Sequence, residues 1–300
     1  MEILVDVGQL VLTGLTVGAV YALVAVGFVL IYKASGVFNF AQGEVVMVGG
    51  FIGWTFLVAL QPYIPLWLGI IFTLVCAGIV GVAMERIFMR PMIGQSLLSM
   101  VMMTIALSSL LMAITQLTWG VKGKDLSAAL PVGEILKLGA LRVPVMSLIG
   151  LATTVVLIGL FAWFFKATGA GLAMRATSED HTVAYSCGIS VRRIFSQSWA
   201  IGALAAGIGG VILCSLIGIN SMLAPIGIKA IPVVLLGGLE SIPGAIIGGL
   251  LMGVLEAFAA NYFNSIVGGG VETVFVFVVM MVVLLFRPYG LFGQKRIERI

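Results

Sequence analysis

Residues 8–32, GQLVLTGLTVGAVYALVAVGFVLIY, form an apolar run that contains no charged side chain. A helix needs about 20 consecutive apolar residues to cross the hydrocarbon core of a bilayer. This run therefore predicts a membrane-spanning helix. Over the whole chain, 61% of the residues are hydrophobic and 9% are charged, whereas soluble domains are about 25% charged. The composition predicts an all-α integral membrane protein and excludes an ordinary soluble domain.

Further apolar runs recur along the chain, and they predict a polytopic bundle of eight or nine transmembrane helices forming one domain, 1–300. A shorter run, 226–239, is interrupted by Lys229 and Pro232, which indicates a broken or re-entrant element. Gly-broken segments at 39–51 and 220–239 suggest an inverted repeat of the two halves. The longer runs are 8–32, 45–60, 66–84, 97–119, 144–165, 194–218, 245–263 and 271–286.

Lys and Arg residues cluster in short segments between the runs. The segments 85–96, 166–193 and the tail from residue 287 are basic, so the excess of positive charge in cytoplasmic loops places them in the cytoplasm. The loop 120–143 is then external, although it is basic too. We expect a multi-pass protein of the bacterial cytoplasmic membrane, with an external N-terminus and a cytoplasmic C-terminus.

Polar residues next to the breaks are candidates for a solute pathway. Asn39, Gln42 and Glu44 open the second run, where they can line a pathway or hydrogen-bond the backbone freed at a broken helix. Gly237 and Gly238 break the later segment. Both interpretations remain open from the sequence.

Ionisable residues inside apolar runs cost free energy to insert and are functional candidates. Glu256 is the most embedded of them and is expected to pair within the bundle. Lys229, Glu240 and Glu272 lie near the ends of runs and are expected at the membrane interface.

Small residues recur at four-residue spacing inside the runs, among them Gly14 with Gly18 and Gly249 with Gly253. Helices in lipid associate where small residues allow their backbones to approach closely. The spacing therefore favours helix packing at these positions.

The loop 166–193 has the signals of a short surface helix. Thr177 and Ser178 are typical N-cap residues, and Gly188 can close a helix in the left-handed conformation. These signals predict a helix over 179–187, which either docks a partner or is a plain solvated connection.

The sequence contains no recognisable set of catalytic or nucleotide-binding residues. A phosphate-binding loop of the type GxxxxGK[ST] does not occur, and His181, the single histidine, has no companions at catalytic or metal-ligand spacing. We expect no catalytic residue, metal or cofactor in this chain and no nucleic-acid partner. A secondary transporter, with Glu44 or Glu256 binding a coupling ion, is an alternative, and a passive channel ranks last.

Several long strings resemble one family of membrane proteins. They are GLTVGAVYALVAVGFVLIYKASGVFNFAQGEVVMVGGF from Gly14, IKAIPVVLLGGLESIPGAIIGGLLMGVLE from Ile228 and RPYGLFG from Arg287. Together they are similar to the branched-chain amino acid ABC transporter permeases of the LivH type. The loop GLAMRATSEDHTVAYSCGISVRRI, from Gly171, looks like the cytoplasmic coupling loop of that family. Related importers often carry Glu-Ala-Ala, three residues and Gly there, and Ala184 and Gly188 match that spacing.

The resemblance implies a permease subunit of an ABC importer for leucine, isoleucine or valine. Urea and amides are alternative solutes of neighbouring families. The implied partners are a second, LivM-like permease, two cytoplasmic ATPase subunits that bind ATP and Mg, and an external or periplasmic substrate-binding protein. The coupling-loop residues that it implies are Arg175, Asp180, Ala184, Gly188 and Ile189.

Overall fold

The computed structural model describes residues 2–138, 141–179, 181–219, 225–267 and 269–293. The described chain is almost entirely helical, with one two-stranded sheet. π-Helical turns, Thr55–Ala59 and Met84–Met89, extend two of the helices. The elements are α1 Glu2–Ser35, α2 Gln42–Trp54, α3 Leu66–Ala83, α4 Leu97–Trp119, β1 Ile135–Leu138, β2 Leu141–Pro144, α5 Val145–Ala167, α6 Gly169–Glu179, α7 His181–Ser186, α8 Val191–Ile217, α9 Pro225–Gly237, α10 Ile242–Val267 and α11 Val271–Phe286.

Seven of the described helices are long and apolar enough to cross a membrane. They are α1, α2 with its π-helical extension, α3, α4, α5, α8 and α10. The apolar helices in α9 and α11 are shorter. The prediction of an all-α polytopic membrane protein is confirmed, and the run at 226–239 is a half-length helix with Pro232 inside it.

The centre of the bundle is α1, which packs mainly on α10 and α8. Gly14 and Gly18 of α1 lie against Gly249 and Gly253 of α10, and a Cβ on Gly14 would lie 2.6 Å from the Cα of Val254. Such close approach of backbones holds helices together where lipid provides little hydrophobic drive. The packing predicted from the small-residue spacing is confirmed here.

Two shorter helices begin inside the bundle. After α1 ends, the chain returns to the interior, and Gln42 at the start of α2 lies against Gly27 of α1. Gly43 of α2 also touches Gly227 of α9 so closely that a Cβ on Gly227 would overlap the Gly43 backbone. From this contact α2 runs toward the loop 120–143, where Lys124 stacks on Trp54. The helix α9 runs the other way, toward the C-terminal end of α1.

The two ends of the bundle differ. At one end, Gln9 of α1 bonds the backbone of Arg142 in the β1–β2 hairpin, a structure that sequence patterns did not predict. At the other end lie α6 and the segment 287–293, each of which borders a small cavity with the C-terminal end of α1. Helix α7 follows α6 at this end. The described residues of 120–143 and of 166–193 therefore lie at opposite ends, as the alternation of loops predicts.

Candidate functional site

The segment that the sequence singled out as a coupling loop forms two consecutive helices. The expected helix over 179–187 is wrong in its start, because α6 already covers Gly169–Glu179 and α7 covers His181–Ser186. Among the bonds between described residues, the Thr177 and Ser178 hydroxyls cap no helix start. They donate hydrogen bonds back to the carbonyls of Ala173 and Arg175 in the last turns of α6.

Packing explains why a helix begins at Gly169 and not at the predicted residue 179. Gly171, Met174 and Thr177 form one buried face of α6, and Met174 packs with Ala34 and Ile194 from the ends of α1 and α8. The missed N-cap is Thr168, whose hydroxyl accepts a hydrogen bond from the Gly171 backbone N–H. Burial of this face outweighs the local capping preference of Thr177 and Ser178.

The end of α7 brings three of the predicted coupling residues together. The Ile189 N–H donates to the Ala184 carbonyl and the Gly188 N–H donates to the Tyr185 carbonyl, each at 3.0 Å. Gly188 has φ +80°, so the pair of bonds is a Schellman motif with glycine in its left-handed position. The spacing of Ala184 and Gly188, which matches that of related importers, is thus part of the motif that ends α7.

Exposure divides α7 into an inner and an outer face. Ala184 is 2% exposed, whereas Val183 is 59% and Tyr185 is 75% exposed. Arg175, on the preceding helix, is exposed as well and borders a 70 Å³ cavity with Lys33 and Ser198. Asp180, the remaining predicted coupling residue, lies outside the described residues.

Asn39 and Gln42 are fully engaged inside the bundle. The Asn39 side-chain amide donates to Gln42 Oε1 at 2.9 Å, and Asn39 Oδ1 accepts from the Ala41 N–H. Gln42 Nε2 donates to the carbonyl of Gly202 in α8 at 3.2 Å. Of the two interpretations left open, these contacts favour hydrogen bonding of the backbone at the start of a broken helix.

Glu44 has different surroundings from Asn39 and Gln42. It is half-buried in the first turn of α2 and faces Ser108 of α4. An acidic residue is favourable in this first turn because the N-terminal end of a helix carries partial positive charge. Glu44 remains the candidate pathway residue of this cluster.

Gly237 and Gly238 form a docking point for the segment 287–293. The Phe292 N–H donates to the Gly237 carbonyl at 3.2 Å. Gly238 has φ +105°, and a Cβ there would lie 2.7 Å from the Gly293 nitrogen. These glycines close the end of α9 by tight backbone packing.

Glu256 of α10 forms an ion pair with Lys229 of α9. Its Oε1 accepts from Lys229 Nζ at 2.5 Å, with 11% of the Glu256 side chain and 22% of the Lys229 side chain exposed. The Tyr21 hydroxyl approaches the same carboxylate. Pairing of Glu256 within the bundle was expected and is confirmed. Its partner was not predicted: Lys229 was expected at the membrane interface, and the start of α9 inside the bundle brings it to α10.

A second ion pair was missed by sequence reasoning. Arg90 donates to both carboxylate oxygens of Glu85 at 3.0 and 2.9 Å, and Ser196 of α8 donates to the same carboxylate. Glu85 is 1% exposed. The five-residue separation of Glu85 and Arg90 does not match ordinary helical pairing, and it works here because the π-helical turn Met84–Met89 changes the helix geometry.

The sequence is similar to that of known membrane proteins over almost its whole length. Residues 10–285 match the model of the family described as the permease component of the branched-chain amino acid transport system. The chain belongs to this permease family. It is 34% identical to the high-affinity branched-chain amino acid transport permease BraD of Pseudomonas aeruginosa, over 97% of both chains.

Other relatives agree with this family. The identity is 30% to the permease LivH of Escherichia coli K12, over 97% of both chains, and 30% to a probable LivH of Methanocaldococcus jannaschii, over 93% of this chain and 90% of the relative. Among solved structures, PsaBC from Streptococcus pneumoniae in complex with Fab is similar in fold, with a TM-score of 0.52 and 17% identity over 93% of this chain and 92% of that chain.

Proposed function

We propose that this chain is the membrane permease subunit of an ATP-driven importer that carries leucine, isoleucine or valine. It pairs with a second, LivM-like permease, docks on two cytoplasmic ATPase subunits that hold ATP and Mg, and receives solute from an external binding protein. The names of the relatives support the substrate class. The coupling role rests on one observation, the outward presentation of Val183 and Tyr185 by α7.

The geometry of α6 and α7 allows a displacement of α7 to be transmitted to α1. Both helices connect α5 to α8, and α6 also packs against the end of α1 through Met174 and Ala34. Movement imposed on α7 from outside would reach the central helix of the bundle through this buried contact. The Schellman motif at Gly188 ends α7 just before α8 begins.

Replacement of the exposed apolar side chains tests the docking role. We expect Val183→Ser with Tyr185→Ser to lower co-purification of the ATPase subunits and ATP-dependent uptake of radiolabelled leucine by proteoliposomes by about tenfold, since buried apolar anchors dominate interfaces. Val121→Ser is the matched control, because Val121 is similarly exposed, at 69%, at the opposite end.

The same uptake assay separates the alternatives. Competition by valine and isoleucine, but not by urea or acetamide, supports the substrate class. Leucine uptake that requires an ion gradient and no ATP would overturn the importer proposal in favour of a secondary transporter. In that mechanism Glu256 would have to exchange Lys229 for the coupling ion.

A further inference from the structure

Glu44 differs from the other glutamates of the described membrane spans in its lack of a cationic partner. Glu85 pairs with Arg90 and Glu256 pairs with Lys229, and no ion pair of the described residues involves Glu44. A charge inside a membrane span is costly, and this cost exceeds what an acidic residue gains at the N-terminal end of a helix. The position of Glu44 in the first turn of α2 therefore does not offset the cost, whereas a cation supplied from outside the chain would.

This carboxylate lies near the middle of the membrane. Glu44 faces Ser108, which is the central residue of the 23-residue helix α4. Many transporters place their solute sites at this depth, beside helices that begin inside the bundle, and α2 is such a helix. Because Glu44 is half-buried, its carboxylate stays within reach of a ligand.

An aromatic ring lies beside the carboxylate. The Phe40 N–H donates a hydrogen bond to the Thr104 hydroxyl at 3.3 Å, and Thr104 precedes Ser108 by one turn of α4. Phe40 and Glu44 therefore lie side by side along α4. The Phe40 side chain is 40% exposed, and its ring centre lies 5.1 Å from that of Phe38. An exposed ring beside a carboxylate offers a ligand an apolar surface and a cation–π contact together with a charge.

We propose that Glu44 and Phe40 bind the solute in transit, with the Glu44 carboxylate paired to the solute's ammonium group. This assignment rests on the proposed function, in which the solute is an α-amino acid with an apolar side chain. Such a solute supplies the cation that Glu44 lacks and an apolar group that packs on the Phe40 ring. Urea and acetamide carry no cation and gain nothing from Glu44, so the site favours amino acids over these alternative solutes.

Protection of a neighbouring cysteine tests ligand binding directly. The assembled transporter carries Ser108→Cys, with the cysteines that are not buried replaced by Cys76→Ser and Cys187→Ser, and its labelling by N-ethylmaleimide is followed. Leucine and isoamylamine, which has the ammonium but no carboxylate, should slow this labelling. Isocaproate, which has the carboxylate but no ammonium, should not. Ser109→Cys is the matched control, because Ser109 is the next residue of α4 and is exposed, and its labelling should be the same with and without solute.

Uptake and stability separate solute binding from a structural role. We expect Glu44→Gln to lower the maximal rate of ATP-dependent leucine uptake about tenfold, the lower end of the effect of one lost hydrogen bond to a charged group. The concentration of loaded binding protein that gives half-maximal uptake should not change. The variant should melt at the native temperature or above it, since it removes an unpaired charge from a membrane span. Glu44→Asp, which keeps the charge, should restore part of the uptake.

The outcomes distinguish this inference from the proposed function. Native uptake by Glu44→Gln, or protection of Ser108→Cys by isocaproate as well as by isoamylamine or by neither, would overturn the inference and leave the importer proposal intact. If Glu44→Gln melts at a lower temperature, the protection experiment still decides, because it is performed with Glu44 in place. Leucine uptake that needs no ATP would contradict the importer proposal, while protection by isoamylamine would still identify the ammonium site.

Discussion

Lys229 and Glu256 need each other because each would otherwise be a poorly solvated charge, although the pair as a whole adds little to the stability of the fold. Removing a single partner leaves a buried charge uncompensated, whereas removing both is often nearly neutral. We expect Lys229→Met to destabilise the folded chain by up to about 3 kcal/mol, at the lower end for such pairs because 22% of the Lys229 side chain is exposed. Lys229→Met with Glu256→Met should recover most of this loss.

Thermal melting of the detergent-purified single and double variants measures this coupling. Lys122→Met is the control, since Lys122 is an exposed lysine of the loop 120–143. Additive effects of the two single changes would mean that the ion pair carries no coupling energy.

The limits of sequence reasoning are clear at the residue level too. Glu256 could be predicted to pair because an embedded carboxylate is costly alone. Its partner could not, since Lys229 lies near the end of an apolar run and only the inward start of α9 brings it to α10. Likewise Asn39 and Gln42 were recognisable as a polar cluster, but their bonds to each other and to Gly202 depend on how α2 and α8 pack.

The local stability of helix α7 depends on the left-handed turn at Gly188 that ends it. Gly188 has φ +80° and its surroundings leave open space for a Cβ, so substitution acts through the backbone alone. We expect Gly188→Ala to cost roughly 1–2 kcal/mol in the local stability of α7, because side chains disfavour the left-handed conformation. Hydrogen exchange at residues 183–189 should then accelerate, and leucine uptake per ATP hydrolysed should fall.

Gly159→Ala is the matched control for this change. Gly159 lies inside α5, and a Cβ there also meets open space, but its helical backbone suits alanine, which should be neutral or stabilising by about 0.5–1 kcal/mol. Equal effects of the two substitutions would refute the role of the left-handed turn.

The second ion pair adds a polar contact between the π-helical extension of α3 and α8. Arg90→Gln leaves the buried Glu85 with Ser196 alone, so we expect destabilisation by about 1.5–3 kcal/mol, the range for hydrogen bonds to charged groups. Thermal melting measures this loss, and backbone hydrogen exchange over residues 85–96 should accelerate accordingly. Arg86→Gln, in the same turn but exposed, should have little effect, and a similar effect of both changes would show that general charge loss is responsible.

At the scale of the whole molecule, the apolar runs predicted where most helices lie, but seven of the described helices rather than eight or nine are long enough to span a membrane, since α9 and α11 are shorter. The runs did not predict which helices pack together. The contact of Gly43 with Gly227 joins α2 to α9, and a glycine in a sequence does not indicate which distant glycine it will meet. The hairpin was missed for a related reason. Its strands are short, and the backbone edge at Arg142 is hydrogen-bonded by Gln9 of α1, which is distant in the sequence. What could be derived was the class of fold; what required the structure was the arrangement of its helices.

The orientation of the bundle in the membrane can be tested directly. Docking of ATPases on α7 requires the end of the bundle that carries α7 to face the cytoplasm. Cys187 is exposed beside α7, whereas Cys214 is buried. A membrane-impermeant maleimide should therefore label Cys187 in inside-out vesicles and not in intact spheroplasts. With Cys187→Ser, a cysteine placed by Val121→Cys at the hairpin end should show the reverse pattern. If Cys187 reacted from the outside instead, Val183 and Tyr185 would be external, and the coupling role of α7 could not stand.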